Sequence, residues 1–438
     1  MTEAESITGW GRFPSCKALV HRPRSIDKAI ALTNRIGAFI PRGQGRSYGD
    51  AGLSSQCVST GNLDHIQAFN VKTGILRIEV GITLRTLLNF TLPRGWFLAV
   101  TPGTSLASLG GVIAADVHGK NHHGFGSFQN SVLDLSILLP AGDVITASRT
   151  ENQSLFFATF GGMGLTGLIL TATIQLRRIK GPNVLERNVL CSGISQLLDA
   201  VSSLDSEYSV AWVDFLSSGK RFGRSVLSLG EHIDSTISAF DRIPIKAPQA
   251  YPFFPARMLL RDFVVGLFNS SYFQTARLQS STRVVAMSGY FYPLDGIADW
   301  NQWYGSNGLI QYQFVIPDSS CPDAIIEISE LISRFKQRPY LCVLKQMGDE
   351  NSSPLSFPLR GITVAMDFPR TYDIANELAF LDTLVHEAGG RIYLAKDALL
   401  TPAFFRQGYS KWEDFWQIRK EYDLSSSLQS LLSQRLEI

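Results

Sequence analysis

Two lysines stand as single cations inside apolar, β-like runs: Lys345 in Val343-Leu344-Lys345 and Lys396 in Leu394-Ala395-Lys396-Asp397. An ammonium group in such a run is costly unless it is paired. Each is either an outward-facing lysine on one side of a strand or a positive charge aimed at a cofactor, a phosphate or a hydroxyl. Gln311-Tyr312-Gln313 alternates along a predicted strand, so both amides share a face. Two amides there grip a sugar or form a solvated surface. His118, His122 and His123 surround Lys120 in a glycine-rich loop. Asp116 is the one carboxylate nearby and no thiol joins them, which leaves a metal site incomplete. A neutral imidazole and Lys120 bordering an electron-rich cofactor suit this composition better.

The loops that would present such groups are rich in glycine. Pro41-Arg42-Gly43-Gln44-Gly45-Arg46-Ser47-Tyr48-Gly49-Asp50-Ala51 follows a short β-like run. Gly103 follows Pro102, and Ser108-Leu109-Gly110-Gly111 leads through Val112 to Ala115-Asp116-Val117-His118. Glycines at this density let backbone N–H groups approach an anionic ligand, and two such loops suggest a large phosphate-bearing cofactor. The spacing differs from the GxGxxG dinucleotide fingerprint because the third glycine falls one place late. No GxxxxGK[ST], GxSxG, HExxH or EF-hand pattern occurs, so a P-loop nucleotidase and the common hydrolase and calcium-loop chemistries are disfavoured.

The elements that must position these residues read as α+β. Ser25 caps an amphipathic helix from Ile26 onward. Short strands are predicted at Ala38–Ile40, Leu76–Val80 and Phe97–Val100, a helix over Leu84–Leu92, and a hairpin turning at Ala141-Gly142-Asp143. A third glycine cluster, Gly161 to Gly167, precedes a long β run from Leu168 to Leu176. Lys180-Gly181-Pro182-Asn183 breaks the pattern. Beyond it lie longer alternating strands at Tyr208–Phe215, Val284–Tyr292, Leu309–Ile316 and Gly361–Phe368, with helices at Asp323–Arg334 and Ile374–Ala388. The expected organisation is a domain over residues 1–178, an antiparallel-sheet domain over 179–391 and a C-terminal segment, 392–438, returning to the first.

Of the 438 residues, 45% are hydrophobic and 18% charged, which permits a large core and argues against global disorder. A net charge of +2 with no basic block argues against a nucleic-acid partner. Five cysteines without a CxxC pair read as reduced packing residues rather than a disulfide framework. The acidic N-terminus shows no signal peptide, and no run is long enough to span a bilayer. The expectation is a cytoplasmic protein able to rest on a membrane. Tyr251 to Phe268, rich in aromatics, reads either as a core helix with a proline loop or as an apolar flap over lipid or a greasy substrate.

The strings PRGQGRSYGDAGL, TPGT, GGVIAADVHGKNHHGFGSF and FFATFGGMGLTGLI resemble the FAD-binding domain of the vanillyl-alcohol oxidase / p-cresol methylhydroxylase superfamily. Within it, HGKNHH, GRSYGD and YLAKD resemble the decaprenylphosphoryl-β-D-ribose 2-oxidase family, and the similarity runs through almost the whole chain. The resemblance implies a two-domain FAD-binding fold and noncovalent FAD held by residues 41–51, Gly103, residues 108–111, residues 115–118, Ile169 and Tyr393. Covalently flavinylated relatives carry a histidine where this chain has Arg46. It also implies oxidation of the 2′-hydroxyl of a polyprenylphosphoryl ribose, hydride passing to the flavin, with a separate short-chain-dehydrogenase-type reductase completing epimerisation to the arabinose form used in cell-wall arabinan. By match, Lys396 stabilises flavin charge or the reacting hydroxyl. Gln313, Tyr48, His118, Lys120 and Lys345 line the pocket, together with Gln311, Thr363 and Ala365. Mycobacterial-type members carry Asn and Cys at the last two positions, so the exact substrate stays open. A sugar-alcohol or aldonolactone oxidase using a free substrate, and a flavin-binding protein without turnover, are the competing readings.

Overall fold

The computed structural model describes residues 3–203, 205–233 and 262–438. The chain opens with a four-stranded sheet ordered Glu5–Thr8, Ser15–His21, Gln56–Ser59, Ile40–Arg42. Its last two pairings are parallel, and the crossover from Ser15–His21 to Ile40–Arg42 contains the helix Ile26–Thr33. Ser25 caps that helix as expected, accepting from the Lys28 N–H at 3.3 Å. Next comes a five-stranded antiparallel sheet ordered Ile66–Asn70, Ile75–Glu79, Leu168–Gln175, Val132–Leu138, Val144–Ser148. The predicted hairpin forms its edge, with Leu138 opposite Val144.

From Asn183 onward the strands build one eight-stranded antiparallel sheet. Its order is Thr282–Ala286, Asn183–Cys191, Ser225–His232, Tyr208–Val213, Leu341–Met347, Gly361–Pro369, Leu309–Pro317, Arg391–Ile392. The period of two divides its central strands into two faces. Tyr312, Phe314 and Ile316 join Ile362, Val364 and Met366 in a core with Ile325 and Ile328 of the helix Asp323–Ser333 and Leu381 and Val385 of the helix Ile374–Glu387. The opposite face carries Gln311, Gln313, Thr363, Asp367 and Lys345.

Two strand expectations are corrected. Val284–Tyr292 is not one strand: Thr282–Ala286 is extended, and Met287–Phe291 is a helix that buries Met287, Tyr290 and Phe291 in the same core as Phe97. Burial at i, i+3 and i+4 is helical spacing, which the short, mostly apolar run concealed. Phe97–Val100 is a strand at Trp96–Phe97 alone, pairing with Arg177–Arg178. Residues 251–261 of the aromatic segment lie outside the described residues. From Asp262 the chain is the helix Asp262–Leu278, with Phe263, Leu267 and Phe268 exposed. Among the described residues no helix is long and apolar enough to cross a membrane.

Candidate active site

Antiparallel register places Gln311 opposite Asp367, Gln313 opposite Ala365, and Lys345 opposite Thr363. This face of the sheet is therefore a polar row set among apolar strands. Gln311 Nε2 donates to Asp367 Oδ1, 2.5 Å away. Gln313 Nε2 donates to Thr363 Oγ1 at 3.2 Å, and Thr363 donates onward to the Phe314 carbonyl at 2.7 Å. The Thr363 hydroxyl thus both accepts and donates, and it orients Gln313. Ala365 lies across from Gln313 with no polar atom to add.

Gln313 Nε2 also meets His118 Nε2 at 2.9 Å. An amide nitrogen only donates, so His118 Nε2 accepts and the proton sits on Nδ1. That Nδ1 is buried and finds no partner among the described residues. Burial, with Lys345 close by, holds the His118 pKa well below the ordinary value, so the ring is neutral. His118 packs against Phe357 and Tyr393, with centroids 5.4 and 5.2 Å away. The Tyr393 hydroxyl donates to the Ala115 carbonyl at 2.8 Å, which fixes that ring beside the loop.

Three lysines converge here. Lys396 lies with its ammonium 4.0 Å from the centroid of the Tyr48 ring. It donates no hydrogen bond within the described residues, and burial pulls its pKa down. Lys345 is drawn down to about 8 by burial. Lys120 falls to about 7, chiefly by burial, and donates to the Tyr290 carbonyl while lying 4.1 Å from that ring's centroid. Lys120 is thus anchored at one edge of the site.

The first glycine loop faces this row. The Tyr48 N–H donates to the Ala395 carbonyl at 3.0 Å, and the Tyr393 N–H to the Gln313 carbonyl at 2.8 Å, so loop, C-terminal segment and sheet are stitched together. Gly49 has no room for a side chain: a Cβ there would lie 1.6 Å from the Asp397 carbonyl oxygen. Arg435 holds the end of the loop, donating to both Asp50 oxygens at 2.9 Å and to Asp397 Oδ2 at 2.7 Å. Arg42 donates to the Gly52 and Thr8 carbonyls. The side chains of Arg42 and Asp50 are therefore committed inside the protein. Backbone donors remain: the N–H groups of Gln44, Gly45, Arg46 and Ser47 meet no acceptor among the described residues. Four successive free donors, with Gly45 at φ +62°, suit an anionic ligand. Gly43 brings the loop to the second glycine segment, where a Cβ on it would fall 2.0 Å from Ser108 Oγ, and Pro41 lies against Gly164 of the third glycine cluster.

The second segment works differently from the expectation. Leu109 N–H donates to Ile82, Gly110 N–H to Val80 and Gly111 N–H to Ser108 Oγ. These N–H groups close the helix Leu109–Ala114 against its neighbours, and Gly110 permits the close approach to Val80. They offer a ligand proximity, not donors. The Asp116 carboxylate is likewise consumed, accepting from the Gln129 N–H, Asn351 and Ser356. Gly103 is open, with nothing within 4 Å of a Cβ position. Val117 and Ile169 are buried or half-buried and pack in the apolar core beside the loop.

These features fit FAD. Free loop amides suit its pyrophosphate, and the unpartnered His118 Nδ1–H suits an acceptor on a flavin ring. Arg46 stacks on Trp10 at 4.3 Å, with its Nε buried and unpartnered among the described residues. Asp367, Asp397 and Arg435 escaped the sequence reading. A lone acid two and four residues beyond Ala365 and Thr363 in an apolar strand was the available signal for Asp367; the partner of Arg435 lies 385 residues away.

A family model described as an FAD binding domain matches residues 14–148. The chain is 32% identical to decaprenylphosphoryl-beta-D-ribose oxidase of Mycolicibacterium smegmatis, over 100% of this chain and 98% of that protein. It is 30% identical to an uncharacterised protein of Streptomyces coelicolor, over 81% of this chain and 100% of that one. D-arabinono-1,4-lactone oxidase of Yarrowia lipolytica is 29% identical over 38% of this chain and 33% of its own length. The full-length match, the FAD-binding model and the loop geometry agree: the chain is an FAD-dependent oxidoreductase with an α+β FAD-binding fold, and it belongs to the decaprenylphosphoryl-β-D-ribose oxidase family.

Proposed function

We propose that this protein oxidises the 2′-hydroxyl of a polyprenylphosphoryl-β-D-ribose to the 2-keto sugar, using noncovalent FAD. The observation that carries this reading is the buried polar row of Gln311, Gln313 and Lys345 opposite Lys396, closed on its far side by the first glycine loop. FAD, when bound, supplies the two-electron acceptor. The side-chain Oε1 of Gln313 takes no hydrogen bond from the described residues and is free to accept one from a sugar hydroxyl. The Lys396 ammonium stabilises negative charge as a hydroxyl gives up its proton. Lys345 and Lys120 supply positive charge for the substrate phosphate. Arg46, at the position where covalent relatives carry histidine, has no ring nitrogen to bond a flavin.

We further read residues 1–178 with 392–438 as the FAD-binding domain and 179–391 as the substrate domain. A lipid-linked substrate implies peripheral contact with a membrane, and the unstable keto product implies a partner reductase that receives it. The test is anaerobic. Purified yellow protein is mixed with polyprenylphosphoryl ribose and the visible flavin band is followed. Bleaching supports the proposal. Bleaching by free polyols or aldonolactones alone replaces it with the free-substrate oxidase, and a yellow protein bleached by neither overturns turnover of a sugar hydroxyl.

A further inference from the structure

Asp367 is 1% exposed, yet its Oδ2 has no hydrogen-bond partner among the described residues, while Oδ1 is held by Gln311. A buried carboxylate with a free oxygen is expensive to keep charged. The sheet nevertheless places it on the face that carries the site, opposite Gln311 and four residues from Thr363. Lys396 attracts it, while itself donating no hydrogen bond within the described residues and being pressed toward neutrality by burial and by Lys345. The two do not form an ion pair within 4.0 Å; the attraction acts across the gap between them.

We propose that Asp367 is a positioning residue: its buried charge is the counter-ion that keeps Lys396 an ammonium in a pocket it shares with Lys345. The groups that bear on this pair come from every surrounding element: Lys345 and Cys342 from the neighbouring strand, His118 and Tyr48 from the loops, and Tyr304. Burial holds His118 neutral and keeps Tyr48, Tyr304 and Cys342 protonated, so none of these carries the opposing charge. Asp367 is the one acid among them. Gln311 fixes its orientation by donating to Oδ1.

The inference rests on the assignment of Lys396 to the oxidation site, but its test uses no substrate, so a wrong substrate cannot mimic its failure. FAD-loaded protein is labelled competitively with acetic anhydride across pH, and acetylation of Lys396 is read by peptide mass spectrometry. Asp367→Asn should lower the Lys396 midpoint by about one pH unit or more, as expected for loss of one close opposite charge. Labelling of Lys120 and FAD content should be unchanged, and Asp367→Glu should restore the midpoint in part. An unmoved midpoint in Asp367→Asn overturns the proposal. If that variant fails to fold, Asp367→Asn with Lys396→Met decides: a double variant that folds and retains FAD supports the pairing, and one that also fails shows that Asp367 serves the fold instead.

Discussion

Gln313 Nε2 donates to His118 Nε2 at 2.9 Å, and that single contact sets the tautomer of the imidazole. The Nδ1 proton is thereby left without a partner among the described residues. Gln313→Leu removes the donor and leaves a buried ring nitrogen unsatisfied, at a cost of about 1–3 kcal/mol. If that cost falls on the reacting complex, flavin reduction by the sugar substrate slows by about 10- to 100-fold. FAD content, read from the visible spectrum, should be retained. A variant that is reduced at the wild-type rate would show that the tautomer is irrelevant to the reaction.

In the proposed reaction Lys396 is the group that bears on developing charge. Lys396→Met should keep FAD and lower the rate of substrate-driven bleaching by about 10²- to 10³-fold, the usual effect of removing one donor aimed at an oxyanion. Because burial lowers its pKa, wild-type activity should decline on the alkaline side well before the range of an ordinary lysine. Lys396→Met should lack that limb. Stopped-flow reduction across pH measures both, and full turnover in the variant would remove Lys396 from the chemistry.

The same physical signal made Lys345, Lys396 and the paired glutamines legible from the sequence: polar groups interrupting apolar alternation are visible because the period of two assigns them a face. Which atoms of the glycine segments are free was not legible. Gln44 to Ser47 and Leu109 to Gly111 look alike as strings, but the second set has its N–H groups capped by Val80, Ile82 and Ser108, two of them contributed by another element. The helix Met287–Phe291 was hidden because a short, mostly apolar run does not separate strand from helix spacing. The clamp by Arg435 was invisible for a different reason: charge pairs separated by most of the chain leave no local pattern.

That clamp makes a stability prediction. Asp50 and Asp397 are nearly inaccessible, and Arg435 bridges them. Asp397 Oδ1 also accepts from the Leu399 and Leu400 N–H groups at 2.8 Å, so the carboxylate cannot turn away to water. Arg435→Met leaves two buried carboxylates without their cation, and removing one partner of a buried pair typically costs about 3–5 kcal/mol. Urea unfolding of the FAD-loaded protein should show that loss, with Arg435→Lys intermediate because one ammonium cannot reproduce the two-pronged contact. A loss under about 1 kcal/mol would place the loop's stability in its backbone contacts instead.

Asp382 supplies the pH dependence. It lies behind the sheet, accepting from the Tyr312 hydroxyl at 2.7 Å. Burial raises its pKa to about 7, with Asp397 adding repulsion and the Tyr312 bond opposing the rise. Its unfolded value is about 4. The folded state thus binds the proton more tightly, so this group's contribution to stability is complete below about pH 4 and is lost as pH rises through about 7. Asp382→Asn keeps an acceptor for Tyr312 and removes the charge. It should gain about 1–3 kcal/mol relative to wild type at pH 8 and little at pH 4. Urea midpoints at the two pH values measure the difference. A variant that loses stability equally at both would mean that the Tyr312 hydrogen bond, not the charge, governs this position.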